Sequence, residues 1–484
     1  MLCFRKCDKI DFILKSSLFL TALLYCYAFV FIEFGDTKEH INTSWLITQG
    51  LVPYRDFFQN HHPLLWYLMA PVVAVFDYYK SAGIVILCRI ILLGITFGSC
   101  FWLYKIVKEF INIPHMALLT TLIFVSNDFL LIGETVFRPD NFMLLFGLMG
   151  LYYFMKYHES KKVSTLYLSS VLFFISFMFL QKILLFFIAR GICTLKDLQD
   201  KKMEIKPLLK ASGIFSGLYL IFLLLFWKSG ALSSYFYNNL TLNFLINGGR
   251  VLKDLSMFEM CFAAFYLFCF LFFINKKIPD NLRFLVNLAL LYLGLTVMTC
   301  ISYPYYLMFP FALMTPLIAY GIIFYFKNVA PFHPKEKYLV IAFLIFFLSF
   351  IVQRVLAGNL YLNTAVVEYK RLQFVLDNVP ANELIFNGEI NRIGLFHKNV
   401  HPLHHQLSLN AKKKSLGSWG ASFDEIRELI KEKKPYLFMD HWPLDEDSME
   451  VDFDFSGGFA LELDEEILDL YEKEPIWGFY IRKK

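Results

Sequence analysis

Long apolar runs separated by short polar stretches fill the chain up to about residue 354. A helix needs roughly 20 apolar residues to cross a bilayer, and many of these runs approach that length. The pattern therefore predicts a helical protein that crosses a membrane many times. The runs lie near 12–32, 63–76, 83–104, 114–132, 141–155, 163–180, 183–194, 211–227, 257–274, 284–302, 305–326 and 338–353.

The run at 63–76 differs from the others because it is short, begins at Pro63 and contains Pro71. We interpret it as an interfacial or re-entrant helix. If every other run crosses the membrane, the loops rich in Lys and Arg all fall on one side, which is the cytoplasmic side in membrane proteins. This predicts about eleven spans, with the N-terminus in the cytoplasm and the C-terminus outside.

The chain becomes mostly polar after residue 354. Short apolar segments at 383–388 and 435–441 predict buried strands, and 422–433 has the pattern of an amphipathic helix. The tail predicts two strands around a turn at Glu474–Pro475. We therefore divide the chain into a transmembrane domain, 1–354, and a small C-terminal α/β domain, 355–484, outside the membrane.

The composition agrees with a membrane protein and excludes several other classes. Of the 484 residues, 57% are hydrophobic and 18% aromatic, which is more than a soluble globular protein needs. The net charge of +5 is small and the basic residues cluster by topology, so no nucleic-acid partner is expected. The nine cysteines are scattered without paired spacing, which predicts neither a metal site nor a disulfide framework.

The richest polar cluster follows the first apolar run, in the loop 33–82. Asp36 and Glu39 are three residues apart at a predicted helix start, so both carboxylates can lie on one face. A carboxylate in a partly apolar setting can take a proton from a reacting hydroxyl group. Acids at a helix N-terminus also interact favourably with the helix dipole without any catalytic role, and this second interpretation stays open.

The order of residues in this loop resembles a known family. An acid is followed by a helix ending in Gln-Gly, then Pro-Tyr-Arg-Asp-Phe, then His-His-Pro before an aromatic run. This resembles the first periplasmic loop of GT-C glycosyltransferases, integral-membrane enzymes that take sugars from polyprenyl-phosphate carriers. It is most similar to the bacterial branch with lipopolysaccharide-core galacturonosyl transferases, aminoarabinose transferases and protein mannosyltransferases.

The resemblance implies a GT-C-like fold in the bacterial inner membrane and an inverting single displacement. The donor would be a polyprenyl-phosphate sugar carrying a hexosyl or pentosyl group, and the acceptor a cell-envelope glycan, lipid or protein. Asp36 occupies the position of the family's catalytic acid. Thr37 follows it where the family commonly has a second acid, so the choice between Asp36 and Glu39 is open.

Two further positions match the family. Asp140, in Arg138-Pro139-Asp140, occupies the place of an acid that helps to bind a divalent metal, Mg²⁺ or Mn²⁺, or orders the acceptor; the alternative is an Arg138–Asp140 anchor at the membrane interface. Lys182 occupies the place of a lysine that faces the carrier phosphate. The alternative for Lys182 is a side chain that snorkels to the interface.

The remaining candidates have two interpretations each. Arg89, inside an apolar run, binds phosphate or forms a structural ion pair. His61 and His62 form hydrogen bonds to a substrate or pack within the loop. Because they are adjacent in the sequence and point in different directions, they make a poor zinc-binding pair. Arg55 contacts substrate or fixes the loop with Asp56. For Tyr305, in a tyrosine-rich turn, an aromatic belt at the interface is the alternative to substrate binding.

Two other functions compete with the transferase. A transporter or flippase for lipid-linked sugars would have internal repeats and broken helices in mid-membrane, and the sequence shows no repeat. A non-catalytic membrane assembly partner would leave the loop acids without a role. The gathering of ionisable residues on one predicted membrane face favours the enzyme.

Overall fold

The computed structural model divides into two compact units. The first, which we call the helical unit, comprises 1–33, 89–225 and 247–364, and the second, which we call the mixed unit, comprises 34–88, 226–246 and 365–484. The structure describes residues 6–31, 36–126, 136–242, 278–298, 307–328, 365–386, 394–400, 423–438, 469–476 and 479–483.

Helices account for most of the described residues. They are α1 (Lys6–Phe31), α2 (Asp36–Thr48), α3 (Leu64–Tyr78), α4 (Gly83–Phe110), α5 (Met116–Val125), α6 (Pro139–Ser160), α7 (Val163–Phe179), α8 (Ile183–Gln199), α9 (Ile205–Lys228), α10 (Leu232–Phe236), a π-helix (Tyr237–Leu242), α11 (Asp280–Met298), α12 (Met308–Asn328), α13 (Ala365–Asn378) and α14 (Phe423–Lys433).

Each apolar run within the described ranges is a helix, as predicted, because a helix is the structure that pairs its own backbone polar groups in an apolar setting. Within the part of the chain that the structure describes, three helices are long and apolar enough to cross a membrane: 10–27 within α1, then α4 and α9. The count of about eleven spans stays a prediction. The runs at 257–274 and 338–353 lie outside the described residues.

Helix pairs form the core of the helical unit, where α6 packs against α7, α11 and α12 pack together, and α5 packs on α1 and α12. Close approach depends on glycine in α6. A Cβ atom on Gly147 would come within 2.7 Å of the Phe309 ring, and one on Gly150 within 2.7 Å of the Phe173 ring. Small residues at these positions let large aromatic side chains fill the space between helices.

The mixed unit contains α2, α3, α10, the π-helix, α13, α14 and a four-stranded sheet. Strands β1 (Ile385–Phe386), β2 (Leu437–Phe438), β3 (Tyr471–Lys473) and β4 (Tyr480–Arg482) have the order β1-β2-β4-β3. β1 and β2 are parallel, and the other neighbours are antiparallel. One core cluster buries Val375 of α13 and Val379, which follows that helix, with Ile385, Leu437 and Phe479.

The secondary structure near the C-terminus agrees with the sequence predictions. β1 and β2 lie inside the two segments predicted as strands, α14 covers the predicted helix, and β3 and β4 pair around the predicted turn. That 355–484 forms a separate α/β domain outside the membrane stays a prediction. The helix predicted at 63–76 is α3, which is 15 residues long and shorter than a typical span.

Candidate functional site

Asp36 and Glu39 both lie in the first turn of α2 and are partly buried. Their spacing places the two carboxylates about 60° apart around the helix, on one face. Nε2 of Gln59 donates to Oε1 of Glu39 at 3.3 Å and to Oγ1 of Thr43 at 2.6 Å. Gln59 therefore ties the loop after α2 back to the helix that carries the acids.

The buried side of α2 packs on α3 through paired indole hydrogen bonds. Nε1 of Trp66 donates to Nδ1 of His40 at 3.0 Å, and the two rings are stacked. Nε1 of Trp45 donates to Asp77 at 2.8 Å. Because Nδ1 of His40 accepts a hydrogen bond, the neutral ring carries its proton on Nε2. The His61 ring lies 5.9 Å from that of His40.

Tyr54 is the centre of the loop between α2 and α3. It is fully buried, has a φ of 69°, and its hydroxyl group donates to the carbonyl oxygen of His61 at 2.5 Å. Its ring contacts those of Trp66, Phe226 and Tyr235. A left-handed conformation is unfavourable for tyrosine, so the surrounding packing holds the loop in this shape.

Arg55 forms the interactions that are expected if it fixes the loop together with Asp56. It makes a two-pronged pair with Asp56, with two 2.8 Å hydrogen bonds, and donates to the carbonyl oxygen of Ser229 at 2.6 Å. The Arg55 hydrogen bonds also lower the pKa of Asp56. Arg55 is thus part of the framework of the loop, and a substrate role for it stays a prediction.

His62 is fully buried, and its Nε2 lies 3.0 Å from the hydroxyl oxygen of Tyr235. Tyr235 and Phe226 belong to a segment, 226–246, that we did not single out from the sequence. Asn238, in the π-helix that follows, is fully buried, and neither side-chain amide atom has a hydrogen-bond partner among the described residues. A π-helix commonly marks a functional site, and its sequence carries no local signal for it.

In the helical unit, Asp140 and Arg138 form a buried ion pair. Nε of Arg138 lies 3.2 Å from Oδ2 of Asp140, whose Oδ1 has no hydrogen-bond partner within the described ranges. Pro139 begins α6, and Asn141 donates to the carbonyl oxygen of Val136 at 3.1 Å. One carboxylate oxygen is therefore held by the arginine while the other is not used by a described side chain.

Lys182 lies in the turn between α7 and α8, outside the predicted spans. Its Nζ is buried although its stem keeps some exposure. The pKa of Lys182 is lowered to about 7, mainly because the side chain is buried. The charge of Asp140 raises this pKa, and the charge of Arg138 lowers it. The structure therefore places Lys182 in the electrostatic field of the Arg138–Asp140 pair.

The predicted site residues fall into two sets, one in each unit. The mixed unit contains Asp36, Glu39, Arg55, His61 and His62, and the helical unit contains Arg138, Asp140 and Lys182. The gathering of these residues on one membrane face, expected from the sequence, stays a prediction. Arg89 is buried in α4 at 5% exposure. Tyr305 lies outside the described residues.

No resident metal is indicated by the geometry of the described part of the chain. There, no group of three or more His, Cys, Asp or Glu side chains is arranged to hold a metal ion. Comparison with protein-family models and with curated proteins finds no match to this chain.

Proposed function

We propose that this protein is a GT-C-type glycosyltransferase that moves a sugar from a polyprenyl phosphate to a hydroxyl group of a cell-envelope glycan, lipid or protein. The observation that carries the proposal is the pair of partly buried carboxylates, Asp36 and Glu39, on the first turn of the helix that follows an apolar helix of spanning length. A carboxylate in this setting suits the transfer of a proton from an acceptor hydroxyl group.

The proposed step is an inverting single displacement. The acceptor oxygen forms a bond to the anomeric carbon as the bond from that carbon to the phosphate oxygen breaks. The hydroxyl proton passes to Asp36 or Glu39, and the polyprenyl phosphate leaves with the bonding electron pair. Asp36 has the position of the family's catalytic acid, while Glu39 is oriented by Gln59, so both remain candidates.

The leaving phosphate gains negative charge and needs a cation. Lys182 serves this purpose when protonated, and an incoming phosphate favours the protonated form because it brings an opposite charge. Asp140, held by Arg138 through one oxygen, would orient the acceptor or bind a divalent cation through the other. Arg89 is the second candidate cation for the phosphate.

The test is transfer by purified protein from labelled polyprenyl-phosphate sugars to cell-envelope fractions. Asp36→Asn keeps the shape of the side chain but is no longer a base at neutral pH. If Asp36 is the base, transfer falls about 10²–10⁴-fold while donor binding is retained. Glu39→Gln then costs less, and the order reverses if Glu39 is the base. Lys182→Ala should weaken donor binding and slow transfer together.

Glu472→Gln is the matched control, because Glu472 is an exposed acid in β3. It should transfer like the wild type. Full transfer in both Asp36→Asn and Glu39→Gln would contradict the catalytic role of this loop. The flippase alternative would then be tested by following labelled lipid-linked sugar across vesicles that contain the protein.

A further inference from the structure

Lys38 lies between the two candidate acids in sequence and forms a buried ion pair with Glu368 of α13. Both side chains are only 2% exposed. Arg371, one turn further along α13 and 4% exposed, approaches the same carboxylate at 2.7 Å. The ion pair therefore joins Lys38 to a partner that lies 330 residues away in the sequence.

The cluster keeps Glu368 ionised. Burial alone raises the pKa of Glu368, but the charges and hydrogen bonds of Lys38 and Arg371 outweigh this, and the net direction is down. A buried carboxylate between two cations is stable only while they remain. Removal of Glu368 would leave Lys38 and Arg371 buried without their acid, which is strongly unfavourable.

A second contact holds the same side of α2. Nδ2 of Asn42 donates to the carbonyl oxygens of Leu395, at 3.2 Å, and His397, at 3.0 Å. Lys38 and Asn42 are four residues apart and share a helix face. At roughly 100° per residue, this face lies about 140° from Asp36 and about 80° from Glu39, so these contacts leave the Asp36 side of α2 uncovered.

We propose that Glu368 and Arg371 are positioning residues: α13 and the segment 394–400 fix α2, and with it Asp36 and Glu39, in the orientation that the chemistry requires. This inference rests on the proposed function. Under this proposal, the C-terminal part of the chain has a role in transfer through Glu368 and Arg371, although neither side chain touches the reacting atoms. A displacement of about 1 Å at a catalytic group can cost 10²-fold in rate.

The first test exchanges the charges. Lys38→Glu and Glu368→Lys should each lower kcat for transfer at least tenfold with little change in donor affinity. The double variant keeps one acid and two cations in the cluster and should recover most of the lost rate. No recovery in a folded double variant would overturn the proposal that the ion pair acts as a unit.

The second test asks whether the effect passes through the acids. Glu368→Gln should slow the wild type at least tenfold, but should slow the less active of the Asp36→Asn and Glu39→Gln variants much less, because the group being positioned is already gone. An equal loss in both backgrounds would show a general structural effect and would overturn the positioning role.

A third measurement needs no activity. Hydrogen exchange of the full-length protein should show faster exchange of the α2 amides in Glu368→Gln than in the wild type, with α14 unchanged. Glu383→Gln is the control, since Glu383 pairs with Arg482 at 3.0 Å in the same unit and both are about one-third exposed. Unchanged α2 exchange would overturn the proposal, whereas absent transfer by the wild type would count against the proposed function alone.

Discussion

The hydroxyl oxygen of Tyr235 lies 3.0 Å from Nε2 of His62, and both residues are buried. This contact joins the His-His-Pro motif, one of the features that predicted the site, to α10, which lies far from it in the sequence. The neighbouring rings of Tyr54 and Phe226 complete the packing around Tyr235. The loop that carries the predicted site is thus held by residues about 170 positions later.

Tyr235→Phe should destabilise the protein, because it leaves Nε2 of His62 buried without this partner. The expected loss is about 1–3 kcal/mol. The measurement is the unfolding midpoint in detergent, compared with Tyr237→Phe. Tyr237 is partly exposed and has no hydrogen-bond partner among the described residues, so its variant should match the wild type. An equal effect of the two substitutions would contradict a specific Tyr235–His62 bond.

Asn238→Leu should stabilise the protein. Both amide atoms of Asn238 are buried without a described hydrogen-bond partner, and such a group costs about 1–3 kcal/mol that an apolar side chain of similar shape avoids. Asn141→Leu provides the contrast, since Asn141 is equally buried but donates to Val136 and should lose stability. Destabilisation by Asn238→Leu would show that the amide has an important interaction.

Lys182 should make stability depend on pH above neutrality. Its pKa is about 7 in the folded protein and 10.5 for an ordinary lysine, so between these values the unfolded chain binds more protons. Stability should therefore rise as pH increases from 7 towards 10.5. Lys182→Met should be more stable than the wild type near pH 7, and this advantage should shrink by pH 9.

The measurement for Lys182 is the unfolding midpoint of both proteins across that pH range. Lys370→Met serves as control, because Lys370 is exposed on α13 and its replacement should leave the wild-type pH dependence unchanged. A wild-type curve parallel to that of Lys182→Met would mean that the lysine does not titrate in this range.

The C-terminus should lie outside the cytoplasm. The prediction follows from the Lys and Arg distribution among the loops and from exclusion of α3 from the spans. A phosphatase reporter fused after Lys484 should be active, while one fused after Lys162 should be inactive. The opposite pair of results would invert the topology and place the candidate acids on the wrong face for the proposed periplasmic acceptor.

The sequence alone determined the helices formed by the apolar runs, the helix α14 and the hairpin formed by β3 and β4, whereas it did not predict α10, the π-helix or α13. The predicted elements depend on local patterns, namely apolar runs, Pro139 at the start of α6 and the turn at Glu474–Pro475, which act within a few residues. It also placed Asp36 and Glu39 on one helix face, since the helical repeat fixes their relative direction.

Only the tertiary structure decided which side chains hold that helix. Lys38 pairs with Glu368, Gln59 contacts Glu39, and His62 contacts Tyr235. The sequence does not show any of these pairings, because a charged or amide side chain gives no local indication of a partner that folding brings near. Burial makes such pairings necessary, since a polar group removed from water must find a partner inside the protein.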